Sequence, residues 1–507
     1  MKKLFIIATI AMGLATSSCD SYLDINQNPN SPQESDMTPS ILLPAAEMNL
    51  AASYGDLFRI PAGYHAQQFA QEFGTSNYLD YSRFTMSATR SSTGYWQLMA
   101  RTLKNLETVR KLTTENEEWG TYLAATTLRA FGFQALVDAY GEVPFSEAFQ
   151  GSENPSPKYD EGKDIYAALI AELEDALGKA SANDPVATNF LFPGERAGAW
   201  ISFAKSLLLK LMMRESGAVD VTAKLDALVA DDDFITSDVA YEGCWKNESG
   251  QMSPYYAEEF STAWGSTQIN VIANIALVGT MQEKNADGDI VYQDPRLAAF
   301  YNTNASGEFT GGVSGTNFST AADSYPVNYW CRPKASYDMP VYLLTYSEVE
   351  FFLSEYYAKK GDATNAAAHY NGAIGASFAT AGVAGAGDYV ARYPYDQSNY
   401  KKVLGIAKWV ALAGVNNFEA WCEMRRLDYP AFGTVKGTDI YDGENADSYH
   451  PERYQPGTLY TPIQVFGQVG PNKILERWPY PSNSASANGN APKFTDADYV
   501  KPVFWGM

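Results

Sequence analysis

Apolar residues that recur roughly every three or four positions, in several separate stretches, hold this chain to a mainly α-helical fold. Between Trp119 and Tyr140 the stripe runs through Tyr122, Leu123, Thr126, Ala130, Phe133, Leu136 and Val137. With about 3.6 residues per turn, such positions share one helix face. Tyr166, Leu169, Ile170, Leu173 and Leu177 repeat the spacing, as do Phe203, Leu207, Lys210, Leu211 and Arg214 after Trp200. The pattern predicts helices at about 120–140, 159–180, 198–216, 341–378 and 400–426, stacked as a solenoid-like scaffold. Residues 39–113 also read as mainly helical, with an aromatic, turn-rich break at 73–81.

Residues 341–378 carry the clearest local unit. Leu344, Val349, Phe352, Leu353 and Tyr356 mark one helix, Gly361 and Asp362 a tight turn, and Ala366, Ala367, Tyr370, Ala373 and Ile374 a second helix. The run AKKGDATNAAAHYNGAI resembles a tetratricopeptide hairpin, in which small residues let paired helices approach and a tyrosine fills the remaining gap. Residues 241–340 and 427–507 differ: they are rich in Gly, Asn, Ser, Pro, Tyr and Trp and show little helical period. Loops of that length are uncommon unless they have a function. The fold class expected is therefore a helical scaffold, about 120–216 and 341–426, carrying long irregular aromatic-rich loops.

The first residues address the chain. Lys2 and Lys3 precede an apolar run of eleven residues, 4–14. A permanent span needs about 20 residues, so the run reads as a secretory leader. Small residues then lead to Cys19, the arrangement required for lipid transfer to a thiol, although Thr16 stands where lipoprotein leaders usually carry Leu. Each buried acyl methylene adds about 0.8 kcal/mol of anchoring. Residues 1–18 are thus expected to be a leader, 19–38 a lipidated tether containing Pro29 and Pro32, and 39–507 one domain, since no linker or charge run divides it.

The formal charge of −22 opposes nucleic acid, whose phosphates it would repel. Cys244, Cys331 and Cys422 leave two readings open: one disulfide with a free thiol, or three reduced apolar side chains.

Several segments resemble the SusD/RagB family of outer-membrane lipoproteins, in its SusD-like branch. They are 22–30 (YLDINQNPN), 140–149 (YGEVPFSEAF) with 157–166 following, 200–214 (WISFAKSLLLKLMMR), 294–297 (DPRL), 344–357 (LTYSEVEFFLSEYY), 406–409 (IAKW), 418–430 (FEAWCEMRRLDYP) and 477–481 (RWPYP). Each is weak alone; their order and spacing are specific. The resemblance implies a tetratricopeptide-containing scaffold on the bacterial surface. Such a protein caps a SusC-like, TonB-dependent transporter and hands it an oligosaccharide or, in some branches, a peptide.

Catalysis finds no support in the residues. Glycoside hydrolysis needs two carboxylates about 5–10 Å apart across one bond, and Glu258, Glu259, Glu348, Glu350 and 231–233 (DDD) are unremarked in a chain this acidic. His65, His369 and His450 are too scattered for a zinc site. No enzyme activity, metal or cofactor is therefore expected. Arg425 and Arg426 are read as ion-paired at a helix end, Glu348 as bonded to a neighbouring helix, and Trp96, Trp200, Trp409 and Trp421 as core.

Aromatics in turn-rich stretches are the binding candidates, because sugar rings stack their C–H faces on Tyr and Trp while Asn, Asp, Gln or Arg meet the hydroxyls. GTSNYLDYSRF offers Tyr78 and Tyr81 beside Asn77, Asp80 and Arg83. AWGSTQIN offers Trp264 with Gln268 and Asn270, and SYPVNYWCRPK offers Tyr325, Tyr329 and Trp330 with Asn328 and Arg332. The ligand-binding set expected is Tyr78, Tyr81, Trp264, Trp330 and Arg332; the competing reading at each ring is packing of loop on scaffold. Trp330 and Arg332 lead because they directly precede the helical region from 341, which would hold them rigidly.

Overall fold

Helix α1 (Pro39–Ala52) begins on a proline, whose fixed φ suits the first turn, and runs through a π-helical stretch (Ser53–Phe58) into Arg59–His65. The computed structural model describes residues 37–506 apart from 73–74, 262–269, 317–328 and 443–447. Helix α2 (Trp119–Tyr140) is buried on every side from Gly120 onwards, so its predicted stripe is only one of its covered faces. Small residues make this possible: a Cβ on Gly132 would stand 2.9 Å from Leu103. The helix packs against α1, α3 (Gly162–Lys179) and α4 (Ala197–Glu215).

The tetratricopeptide-like unit consists of α5 (Tyr346–Lys359) and α6 (Ala363–Thr380). Thr345 and Glu348 cap α5 reciprocally, Gly361 turns the chain at φ +75°, and Asp362 caps α6. Hydroxyls of Ser347 and Ser354 donate to Ala373 O (2.9 Å) and Ala366 O (2.8 Å), which small side chains alone permit.

Two predicted boundaries shift. Residues 341–344 form a strand rather than the start of a helix, because Thr345 is already the cap. The region 400–426 divides into α7 (Tyr400–Leu412) and α8 (Asn417–Leu427), parted where Gly414 takes φ +70° and Asn416 caps the second helix.

The loop-rich regions are not wholly irregular. Short ladders pin them: β1 (Phe69–Gln71) with β3 (Val271–Ala273), β2 (Val239–Tyr241) with β6 (Val341–Leu344), and β4 (Gln282–Lys284) with β5 (Ile290–Gln293), all antiparallel. Strands β7 (Phe432–Lys436) and β8 (Leu459–Thr461) pair in parallel. A large core embeds Trp200, Trp409 and Trp421 as expected, whereas Trp96 is 38% exposed and donates to Asn483 (3.0 Å).

Helices α4, α5, α7 and α8 meet around buried charges. Arg214 pairs with Asp138 (2.5 Å), Glu423 (3.2 Å) and Glu419, while Lys210 reaches Glu419 (2.8 Å) and Glu348 (3.7 Å). Arg426 joins Glu355 (2.5 Å) and Glu423 (2.7 Å), and Lys408 holds Glu423 at 2.8 Å. Glu348 and Arg426 thus have the structural roles read from sequence. Arg425 differs: its guanidinium lies 3.6 Å over Trp421 and donates to the carbonyls of Asp138 and Glu476 instead of a carboxylate.

Candidate functional site

Asn274 organises a surface that carries a large cleft. Its amide donates to Phe69 O (3.0 Å) and Ser314 (2.8 Å) and accepts from Ala276 N (2.9 Å) and Tyr460 (2.8 Å), so each end has two partners. This fixes the start of a short helix, Ile275–Thr280, which forms one wall. The β4–β5 hairpin forms another, turned by the NADGD sequence at 285–289 with Gly288 at φ +90°. Segments 307–310 and 449–457 complete it. Gly279 lets the Tyr454 ring close against the helix; a Cβ there would lie 2.5 Å from that ring.

The cleft has a volume of about 1050 Å³. It is lined by Tyr329, Tyr393, Tyr449, Tyr454 and Phe309, interleaved with Gln282, Gln293, Lys284, Glu283, Glu308 and Glu452. Aromatic faces among a few polar groups suit an amphipathic ligand with many hydroxyls. Burial, then the Glu308 charge, pushes the Tyr329 phenol above its ordinary pKa; burial, then the bond to Glu283, does the same at Tyr393. These hydroxyls therefore keep their protons near neutral pH, and that of Tyr393 is donated to Glu283 (2.8 Å).

Of the expected ligand-binding set, the described residues Tyr78, Tyr81, Trp330 and Arg332 do not line this cleft, whereas Tyr329, offered beside Trp330 in the same segment, does. Trp330 is only 3% exposed, a correction to its expected place on the surface. Its ring packs edge-on against Tyr329 (4.8 Å, 86°) and Tyr449 (5.0 Å, 89°), so it props two rings that do line the cleft. Tyr78 and Tyr81 are also buried, contrary to the expectation for a turn-rich stretch. They stack on each other at 5.5 Å, Tyr78 donates to Glu259 (2.5 Å), and Arg90 lies 5.3 Å over Tyr81. Arg332 is half-buried and paired with Glu72 at 3.2 Å. Cys19, Trp264, Gln268, Tyr325 and Asn328 lie outside the described residues. Cys244, Cys331 and Cys422 are free thiols, Cys331 and Cys422 buried.

Sequence reasoning missed Tyr393, Tyr449, Tyr454 and the hairpin. An Asp-Gly pair within NADGD was a usable hairpin signal. Nothing local marks Tyr449 or Tyr454, which reach the cleft only through long-range packing.

A helical scaffold with a tetratricopeptide-like hairpin and an aromatic-walled cleft is the frame in which comparison with known proteins places the chain. The chain belongs to the SusD-like family described as "Starch-binding associating with outer membrane", whose model matches residues 29–455. Members of this family are nutrient-binding, outer-membrane-associated proteins rather than enzymes. Among solved structures, "Bacteroidetes AC2a SusD-like" is similar with 18% identity and a TM-score of 0.70, over 93% of this chain and 100% of that one. A chitin-binding protein is similar with 20% identity and a TM-score of 0.69, over the same shares. A SusD homologue from Bacteroides uniformis ATCC 8492 has 18% identity and a TM-score of 0.69, over 91% of this chain and 98% of its own. No curated protein sequence matches the chain. Among the described residues no helix is long and apolar enough to cross a membrane.

Proposed function

We propose that this protein captures an uncharged oligosaccharide in the 1050 Å³ cleft and passes it to a TonB-dependent, SusC-like transporter in the outer membrane. One observation carries the reading: Tyr329, Tyr393, Tyr449 and Tyr454 line one cleft together with amide and carboxylate groups. An uncharged glycan is favoured because Glu283, Glu308 and Glu452 outnumber Lys284, the one lysine among the described lining residues, and would repel an anionic one. Trp330 acts through Tyr329 and Tyr449, and Trp264 keeps its role as a stacking ring on sequence grounds. Residues 1–18 are a leader, Cys19 carries the lipid, 19–38 form a tether, and 39–507 form one domain.

Calorimetry with malto- and chito-oligosaccharides tests the capture step. Tyr329→Ala should weaken binding roughly tenfold, since one stacked ring contributes about 1–2 kcal/mol. Unchanged affinity in that variant rejects the cleft. Cys19→Ala should release the protein from membranes, and mild detergent should co-purify the native protein with a larger barrel protein.

A further inference from the structure

A smaller cleft of about 510 Å³ adjoins the first and shares Thr280, Tyr393 and Ile406 with it. Its wall is aromatic: Tyr292 from β5, Tyr370 from α6, and Tyr389 and Tyr393 at the end of Ala386–Arg392. The wall is held in place. Tyr370 donates to Tyr393 O (2.7 Å), and the Tyr389 and Tyr393 rings lie 4.9 Å apart. Glu283 of β4 accepts from the Tyr393 hydroxyl and from Arg392, both at 2.8 Å, and the Arg392 guanidinium lies 4.4 Å over the Tyr292 ring. Tyr393 is therefore fixed from both sides of the boundary between the clefts.

Two chemical facts point to an occupant. The Tyr292 hydroxyl oxygen is buried yet has no hydrogen-bond partner among the described residues, a condition that costs free energy until a partner arrives. The carboxylates beside it are already engaged: Asp294 by Arg296 (2.6 Å), and Asp396 by Ser398 (2.6 Å) and Asn399 (2.7 Å). What remains is ring faces, the Tyr292 hydroxyl and the exposed Lys402 ammonium at the rim, and the rings and donors together complement a sugar unit's C–H face and its hydroxyl groups.

We propose that the smaller cleft is a second carbohydrate subsite, taking further units of the same uncharged oligosaccharide, with Tyr393 as the shared stacking wall and the Tyr292 hydroxyl as a polar contact. This rests on the reading of the larger cleft as a glycan site. A single occupant is the simplest reading of the shared wall, because Thr280, Tyr393 and Ile406 line both clefts and so place neighbouring units of one chain within reach of each.

Calorimetry with maltose, chitobiose and the two corresponding hexasaccharides tests it. One hexasaccharide should bind the native protein roughly tenfold or more tighter than its disaccharide, the gain from one further stacked ring. Val403→Trp, which fills the smaller cleft from its half-buried rim, should abolish that gain and leave disaccharide affinity unchanged. Tyr292→Phe, which removes only the hydroxyl, should weaken the hexasaccharide roughly threefold to tenfold, and it decides the matter if Val403→Trp does not fold. Disaccharide binding with no gain for length, or a gain that survives both substitutions, overturns the second subsite alone. Failure of both sugar series to bind the native protein overturns the larger-cleft reading and this one together.

Discussion

The junction of α4, α5, α7 and α8 and the cleft face are opposite solutions to placing polar groups inside a protein. At the junction, Arg214, Lys210, Lys408 and Arg426 face Asp138, Glu348, Glu355, Glu419 and Glu423, all nearly inaccessible to water. Their hydrogen-bonding capacity is directed at one another across regular helices. On the cleft face, elements are short and the phenols and amides line an open space. The first arrangement fixes how helices cross; the second leaves amphipathic surface for a ligand. Stability and binding should therefore separate cleanly between the two regions.

Breaking the junction should have the largest effect. Arg214→Ala leaves Asp138, Glu419 and Glu423 buried around a missing cation. Removing one partner of a buried ion pair costs about 3–5 kcal/mol, so the urea midpoint should fall steeply while the folded fraction binds sugar normally. A midpoint near that of the native protein would mean the charges do not hold the helices. Trp330→Ala tests where the regions blur. Truncating a core tryptophan costs about 3–5 kcal/mol, and this one also supports Tyr329 and Tyr449. Stability and affinity should fall together, whereas Tyr329→Ala should lower affinity alone. A Trp330→Ala protein that melts early but binds normally would detach that ring from the site.

Acid should distinguish the regions next. Burial alone would raise the Glu355 carboxyl, but Arg426 and Lys359 outweigh it and hold it down, from 4.5 to about 2. Its stabilisation is fully present above the ordinary value and is lost as pH falls toward about 2. The amount is on the order of 3 kcal/mol. Glu355→Gln should flatten the stability profile across that window; an unchanged slope would remove Glu355 as the cause. Tyr329 and Tyr393, whose phenol pKa values are raised, contribute nothing there.

The difference also explains what the sequence revealed. Helices announce themselves locally: the stripe at 119–140 and the turn at Gly361 need only near neighbours to be recognised. The junction was half legible, since Glu348 and Arg426 lie on marked helices, but their partners come from up to 213 residues away in the chain. The cleft was hardly legible. Turn-rich composition located the segment of Tyr329 and Trp330 but could not say which ring faced outward, because burial is decided by Tyr449, far away in sequence. Tyr78 and Tyr81 mislead for the same reason: Glu259 and Arg90 cover a stretch whose composition reads as exposed loop.

Arg332 should give the smallest effect and still settles a choice of ligand. Its side chain is 31% exposed and its salt bridge to Glu72 spans 3.2 Å. Partly exposed pairs of this kind contribute about 0–1 kcal/mol, and salt screens them. Arg332→Ala should therefore barely move the melting temperature. If the ligand is an uncharged glycan held among the tyrosines, its affinity should also be nearly unchanged and insensitive to salt. A peptide would differ, because its carboxylate would draw Arg332 away from Glu72 into a charge-assisted pair. In that case Arg332→Ala would cost roughly tenfold or more in peptide affinity, and the loss would shrink as ionic strength rises. Titrations of the native and Arg332→Ala proteins at low and high salt, with a malto-oligosaccharide and an acidic peptide in parallel, separate the two. A salt-dependent loss confined to the peptide would move the ligand-recognising surface from the tyrosine cleft to the Arg332 side of the molecule.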